Sequence, residues 1–317
     1  MGIRKLNKFL VEKGLIDEYT SLVDYLKKCN CKNKRMYDPI IIGIDLSLYA
    51  HKFSYSKGDI ILGFWNQIIM FLSNRILPLY IFDGKPPVEK SDILYKRSQK
   101  KQQYTGSGTK RHPTVTRYDY QKLRDFFTLL NIPYVNSNCE ADFMCAKLYK
   151  DGFVTAILSE DTDLLALGCG QVIKFHKGKV FEYNLDKILY TLNLTYTEFV
   201  DFCILLGCDY LKSYNKLTAE SVYANIRTNK LFDTSEDYEY MFKKVKDIYL
   251  FSNEKEIIPF ELYLSLDKEI YVDDVINFLS DNSNEYLSEI IISKIKCSVD
   301  QINLNISDRL FYFPKRK

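Results

Sequence analysis

The chain has 317 residues, and 46% of them are hydrophobic, so it can bury a substantial core as one large domain or two closely packed ones. Its 44 basic and 41 acidic residues give a net charge of +3, which by itself indicates no particular partner. No apolar run approaches the roughly 20 residues that cross a bilayer, the first residues do not read as a signal peptide, and the eight cysteines lack the spacing of a zinc or disulfide framework. We therefore expect an intracellular protein with no membrane partner.

Three short apolar runs predict buried parallel strands at residues 39–44, 77–82 and 154–158. Segments with helical periodicity separate them, for example at 60–72 and 141–149. Because strands alternate with helices, we predict an α/β fold with a mostly parallel central sheet flanked by helices. Beyond residue 209 no strand signal is comparably strong, and helices are predicted at 218–226, 236–249, 272–279 and 284–295.

Basic residues are concentrated in a segment that runs from Lys85 to Arg124. Its eleven basic and three acidic residues give it a charge of +8, so the rest of the chain nets −5. Within it, residues 104–116 lack periodicity and contain two glycines and a proline, which predicts a long mobile loop. A basic arm on a mildly acidic body favours a polyanionic partner.

Aspartates follow the predicted strands at the point where each strand ends. They are Asp45, Asp83 and Asp161, and the carboxyl ends of parallel strands meet at one edge of a sheet, where ligands bind. Four more acidic residues belong to the same predicted cluster: Asp163 beside Asp161, Glu140 and Asp142 at a helix start, and Asp209 after a helix. Crowded carboxylates repel unless cations or protons neutralise them.

Oxygen ligands of this kind favour Mg²⁺, with Mn²⁺ as a substitute. Two such ions can activate a water and stabilise the leaving oxygen of a phosphodiester, so the pattern predicts a metal-dependent phosphodiesterase. Helix capping is the alternative for Glu140, Asp142, Asp161 or Asp163 taken singly. Capping does not predict that two neighbouring strands both end on aspartate.

Two basic residues of the arm are candidates for contact with the scissile phosphate. Lys90 and Arg97 lie seven residues apart on a helix predicted after residues 86–87, so both would project from one face near Asp83. Arginine can bind phosphate through two hydrogen bonds. The alternative is an ordinary solvated helix face.

These motifs resemble the flap endonuclease (XPG/Rad2) family of structure-specific 5′ nucleases. The resemblance rests on IFDGKPP at 81–87, SEDTD at 159–163 and LLGCDY at 205–210, which occur in the family's order. It implies a PIN-like 5′ nuclease fold with a helical arch, and a two-ion Mg²⁺ site formed by the seven acidic residues. It also implies catalytic roles for Lys90 and Arg97, and DNA contacts at Gly2, His51, Lys96, Lys100 and Lys101. His51 alone would equally suit a packing role.

The resemblance further implies a 5′ flap endonuclease and 5′–3′ exonuclease that acts on DNA flaps or single-strand/duplex junctions in replication, repair or recombination. Two alternatives stay open, a PIN-like RNA nuclease and a non-catalytic scaffold that binds DNA junctions. We expect a monomer that works in the nucleus, or in a cytoplasmic replication compartment if the chain is viral. The expected regions are an N-terminal nuclease region (1–103), an arch (104–122), an internal nuclease region (123–210) and a helical C-terminal region (211–317).

Three departures from the family pattern bear on function. Asp142 stands where the family has Glu, one methylene longer, so its metal contact could run through water. Residues 211–221 lack the glycines of the helix-two-turn-helix that binds duplex DNA, so we predict a degenerate form of it. Residues 306–317 have aromatics and a basic end but not the spacing of a sliding-clamp peptide, so a clamp partner is only weakly supported.

Overall fold

The computed structural model describes ten parts of the chain: residues 2–3, 5–32, 40–57, 59–85, 115–214, 217–228, 235–251, 260–263, 269–283 and 287–307. Several residues named above lie outside these ranges, namely Lys90, Lys96, Arg97, Lys100 and Lys101. Most of the loop predicted at 104–116 and the C-terminal residues 308–317 also lie outside them.

The described residues form eight strands and thirteen helices. The strands are β1 (Ile16–Tyr19), β2 (Ile40–Asp45), β3 (Ile76–Phe82), β4 (Tyr134–Ser137), β5 (Ala156–Leu158), β6 (Gln171–His176), β7 (Lys179–Asn184) and β8 (Phe260–Tyr263). The helices are α1 (Leu6–Glu12), α2 (Leu22–Lys32), α3 (Leu46–Lys57), α4 (Ile60–Ser73), α5 (Arg117–Leu129), α6 (Ala141–Lys150), α7 (Asp163–Ala166), α8 (Leu185–Leu192), α9 (Tyr196–Leu206), α10 (Ala219–Arg227), α11 (Glu236–Phe251), α12 (Val272–Asn282) and α13 (Glu289–Ser307).

All eight strands form one sheet in the order β1-β7-β6-β5-β2-β3-β4-β8. The five strands β6, β5, β2, β3 and β4 run parallel, and antiparallel strands extend the sheet at both edges. Every residue of β2 and β3 is buried, because their continuous apolar runs are covered on both faces of the sheet. The predicted α/β fold with a mostly parallel sheet is confirmed.

The strand β8 was missed by the helical interpretation of the residues beyond 209. It pairs antiparallel with β4, and Leu262 lies opposite Val135. A four-residue edge strand carries too few positions for an alternating pattern, so its backbone pairing with β4 defines it rather than its sequence.

The helices beyond residue 209 follow the prediction, except that α13 begins at Glu289, five residues later than expected, and runs twelve residues further, to Ser307. The helix α5 begins with a capping box in which Thr116 and Asp119 each accept a hydrogen bond from the other's backbone N–H. Residues 117–122, assigned to the arch by sequence, therefore form the first half of α5. No helix in the described ranges is long and apolar enough to cross a membrane.

Candidate metal centre

The parallel register of the sheet brings three of the predicted aspartates to one edge. Asp45 is the last residue of β2, Asp83 directly follows β3, and Asp161 lies three residues after β5. In the ladder, Asp45 lies opposite Ile81 of β3 and its neighbour Ile44 lies opposite Leu158 of β5. The carboxyl ends of the three strands are therefore level with one another.

Two helix starts add further carboxylates to this edge. The backbone N–H of Ala141, at the start of α6, donates to Asp83 Oδ1 at 2.8 Å, which places Glu140 and Asp142 next to the end of β3. The backbone N–H of Asp163, at the start of α7, donates to Asp161 Oδ1 at 2.9 Å. Glu140 makes no side-chain capping bond to its own helix, so capping does not account for that residue.

Two serines, for which the sequence suggested no role, hold the aspartates in place. The Ser159 hydroxyl donates to Asp45 Oδ2 at 3.5 Å and accepts the backbone N–H of Asp161 at 3.1 Å. The Ser47 hydroxyl donates to Asp83 Oδ2, and Tyr120 donates to Ser47 at 3.3 Å. Both serines stand two residues from a site aspartate in the sequence, which is the only local signal that could have pointed to them.

Two tyrosines contact the other side of the cluster. The Tyr210 hydroxyl donates to Glu140 Oε2 at 3.2 Å, and the Tyr249 hydroxyl donates to Asp163 Oδ2 at 3.4 Å. Their rings meet edge to face, with centroids 5.9 Å apart and an interplanar angle of 83°. Asp209 directly precedes Tyr210 and is partly exposed, which places it beside this pair.

The acidic residues of the cluster differ in their exposure to solvent. Asp45, Asp161 and Asp163 are buried, Glu140, Asp142 and Asp209 are partly exposed, and Asp83 is exposed to solvent. Buried carboxylates prefer the neutral form, and nearby negative charges strengthen that preference. The opening at Asp83 is therefore the side from which a solvated, charged ligand can approach.

Burial and crowding of the carboxylates raise the pKa of two of them, Asp45 and Asp142. Burial, followed by the charge of Asp83 and then that of Asp161, raises the pKa of Asp45 to about 7. Burial and the charges of Asp161 and Asp45 raise the pKa of Asp142 well above its ordinary value. In the described residues, Asp142 Oδ1 is shielded from solvent and has no hydrogen-bond partner, and neither Asp45 nor Asp142 forms an ion pair with lysine or arginine.

Two predicted DNA-contact residues lie in the described part of the chain. A Cβ at Gly2 would lie 2.2 Å from Asp161 Oδ1, and the φ of Gly2 is +94°, so only glycine fits against this carboxylate without strain. His51 is partly exposed on α3, one helical turn after Ser47. Helical spacing therefore places His51 on the same side of α3 as the serine that contacts Asp83.

The donors that face this edge are oxygens, which suit Mg²⁺ or Mn²⁺ better than softer metals. The shielded, unpartnered Asp142 Oδ1 fits a site that a cation completes. As they stand, no three His, Cys, Asp or Glu side chains of the described ranges converge closely enough to hold one ion. Mg²⁺ usually keeps several water ligands and binds through one or two carboxylates plus substrate phosphates, so a site of this kind needs no closer convergence of the carboxylates.

Two family models match this chain: the XPG N-terminal domain over residues 1–104 and the XPG I-region over residues 131–209. Together they match more than half of the chain and include all seven acidic positions. The chain belongs to the flap endonuclease (XPG) family.

Individual relatives agree with this assignment. Flap endonuclease 1 of Aedes aegypti is 34% identical over 58% of this chain and 57% of its own length, so the matched part spans little more than half of that relative. Flap endonuclease 1 of Enterocytozoon bieneusi (strain H348) is 29% identical, with 100% of both chains covered. The catalytic core of Rad2, solved in complex with DNA substrate, is similar in fold, with a TM-score of 0.68, 17% identity, and 95% of this chain and 100% of that one covered.

Proposed function

We propose that this chain is a Mg²⁺-dependent structure-specific nuclease that hydrolyses DNA phosphodiesters at 5′ flaps or single-strand/duplex junctions. The observation that carries the proposal is the group of mutually repelling aspartates at the carboxyl ends of three parallel strands, of which Asp45 and Asp161 are buried. A fold without a cation at this edge would keep these charges apart or neutralise them. Membership of the flap endonuclease family supports DNA as the polyanionic substrate.

The chain's own residues would act mainly by holding oxygens in place. Asp45, Asp83, Glu140, Asp142, Asp161, Asp163 and Asp209 would hold the divalent ions. When bound, such ions supply charge stabilisation for the phosphodiester and lower the pKa of a water molecule. Ser159 fixes the orientation of the Asp45 carboxylate, and Ser47 and the N–H of Ala141 fix that of Asp83, through the hydrogen bonds given above.

Lys90 and Arg97 remain predicted contacts to the scissile phosphate, because both lie outside the described residues. The same applies to Lys96, Lys100 and Lys101 as DNA contacts. Gly2 lies against Asp161, and His51 lies on the same side of α3 as Ser47, which supports their proposed role at the DNA. The proposal also includes two bound ions per site, a monomeric state and a sliding-clamp partner.

One cleavage experiment separates the proposal from its alternatives. The protein is incubated with a 5′-labelled DNA flap, the matched duplex and an RNA hairpin, in Mg²⁺, in Mn²⁺ and in EDTA, beside Asp161→Asn. We expect cleavage of the flap in Mg²⁺ or Mn²⁺ only, and none by the variant. Preferential cleavage of RNA would favour a PIN-like RNA nuclease, and binding of the flap without metal-dependent cleavage would favour a scaffold.

A further inference from the structure

A tyrosine from the C-terminal helical region reaches the acidic cluster. Tyr249 lies near the end of α11, beyond residue 209, where the second family-model match ends. Its side chain is fully buried, and its hydroxyl donates to Asp163 Oδ2 at 3.4 Å.

The helix α11 is held firmly at the turn that precedes Tyr249. Lys246, three residues earlier, pairs with Asp201 of α9, with its Nζ 2.7 Å from Asp201 Oδ1, and both side chains are three-quarters buried. Val245 is also buried. Because residues three and four apart share one helix face, the same face of α11 that docks on α9 presents Tyr249 to the cluster.

The Tyr249 side chain has two further neighbours, one at its hydroxyl and one at its ring. The thiol of Cys208, the residue before Asp209, also interacts with this hydroxyl. A carboxylate is a stronger acceptor than a thiol, so Asp163 is the preferred acceptor of the hydroxyl proton. The Tyr249 ring packs edge to face against Tyr210, which donates to Glu140.

We propose that Tyr249 is a positioning residue of the metal centre, which holds Asp163 for a divalent ion and links the C-terminal helices to the nuclease site. This inference rests on the proposed function, because it concerns the same acidic cluster. Removing a hydrogen-bond partner of a metal-ligating group commonly costs about 10- to 100-fold in metal affinity or activity. The bond here is longer than the usual O–H···O distance, so we expect an effect at the lower end, about tenfold.

The test uses Tyr249→Phe, which removes only the hydroxyl and keeps the ring in its buried place. Tyr238→Phe is the matched control, because Tyr238 lies on the same helix and its hydroxyl donates to the carbonyl of Lys212, away from the carboxylates. Mn²⁺ binding without DNA is measured by electron paramagnetic resonance. We expect the Mn²⁺ Kd to rise about tenfold in Tyr249→Phe and by less than twofold in Tyr238→Phe.

Cleavage of the DNA flap gives an independent reading. In Tyr249→Phe the Mg²⁺ concentration for half-maximal rate should rise by a similar factor, excess Mg²⁺ should restore kcat, and KM for DNA should not change. A Mn²⁺ Kd within twofold of the wild type, or an equal rise in both variants, overturns the proposal. Wild-type protein that neither binds Mn²⁺ nor cleaves in Mg²⁺ would instead refute the proposed function itself.

Discussion

Acidic side chains at two places in the fold are compensated in opposite ways. On β7, near one edge of the sheet, Glu182 is fully buried. It accepts hydrogen bonds from Lys28 of α2 and from the Tyr19 hydroxyl of β1, the latter at 2.8 Å. At the carboxyl end of the central strands, Asp45 and Asp142 form no such ion pair in the described residues, and their pKa values are raised.

The difference separates a structural acid from a functional one. Glu182 forms an ion pair with Lys28 inside the protein, so its charge is already compensated and needs no bound cation. Asp45 and Asp142 face other carboxylates, so the folded chain carries an unfavourable energy that protons or cations relieve. Removal of the negative charge should therefore reduce stability at Glu182, whereas at Asp142 it should reduce cleavage and leave stability nearly unchanged.

The largest expected effect is on catalysis, in Asp142→Asn. The amide keeps the shape of the side chain but removes a ligand charge, and metal contributions of several kcal/mol correspond to a fall in cleavage rate of about 10³-fold. Burial already favours the neutral form of Asp142, so the free energy of unfolding in EDTA should stay within about 1 kcal/mol of wild type. Flap cleavage and urea unfolding measure the two quantities.

A variant with normal cleavage would remove Asp142 from the proposed metal centre. Asp142→Glu restores the length that the family has at this position and is the matched control. It should retain cleavage, because the carboxylate charge is kept.

The second effect falls on stability, in Glu182→Gln. This change leaves the Lys28 ammonium, only 22% exposed, without its carboxylate, and breaking a buried pair from one side costs about 3–5 kcal/mol. Glu18→Gln is the control, because the Glu18–Lys179 pair also involves a residue of β7 but is exposed, and exposed pairs contribute about 0–1 kcal/mol. Urea unfolding should separate the two variants, while the folded fraction of each still cleaves DNA. Equal stabilities would show that burial of the Glu182 pair carries no special cost.

The central strands show how much of this arrangement could be predicted. The apolar runs before Asp45 and Asp83 define buried strands, and the edge they share follows from parallel pairing alone. The antiparallel pairing of β1 with β7 and of β8 with β4 could not be predicted. Each of these two edge strands has only four residues, and its backbone hydrogen bonds to the neighbouring strand define it. Tyr249 could not be predicted either, because only the docking of α11 on α9 brings it to Asp163.

The stability of the metal-free protein should depend on pH through Asp45. The pKa of Asp45 is about 7 in the folded protein, against an ordinary value of 3.8. Between these values the folded chain binds more protons than the unfolded chain, so stability falls as pH rises from about 4 to about 7. The slope that Asp45 contributes is at most about 1.4 kcal/mol per pH unit.

Thermal or urea unfolding in EDTA across this range measures that slope, with Asp45→Asn as the comparison. The variant should show a shallower decline, because the amide does not titrate. A decline as steep in the variant as in the wild type would assign the pH dependence to other groups. Mg²⁺ should reduce the decline in the wild type, since a cation favours the ionised carboxylates.

The smallest expected effect comes from a comparison of two glycines, Gly2 at the acidic cluster and Gly14 just before β1. Gly2 and Gly14 both have positive φ, at +94° and +65°, but a Cβ at Gly14, just before β1, meets nothing within 4 Å. Alanine should therefore cost about 1–2 kcal/mol of backbone strain at either position. Only Gly2→Ala also pushes against Asp161, so we expect its flap cleavage to fall about tenfold further than that of Gly14→Ala, an effect equivalent to about 1.4 kcal/mol in the barrier. Equal cleavage by the two variants would mean that the contact between Gly2 and Asp161 does not matter for the reaction.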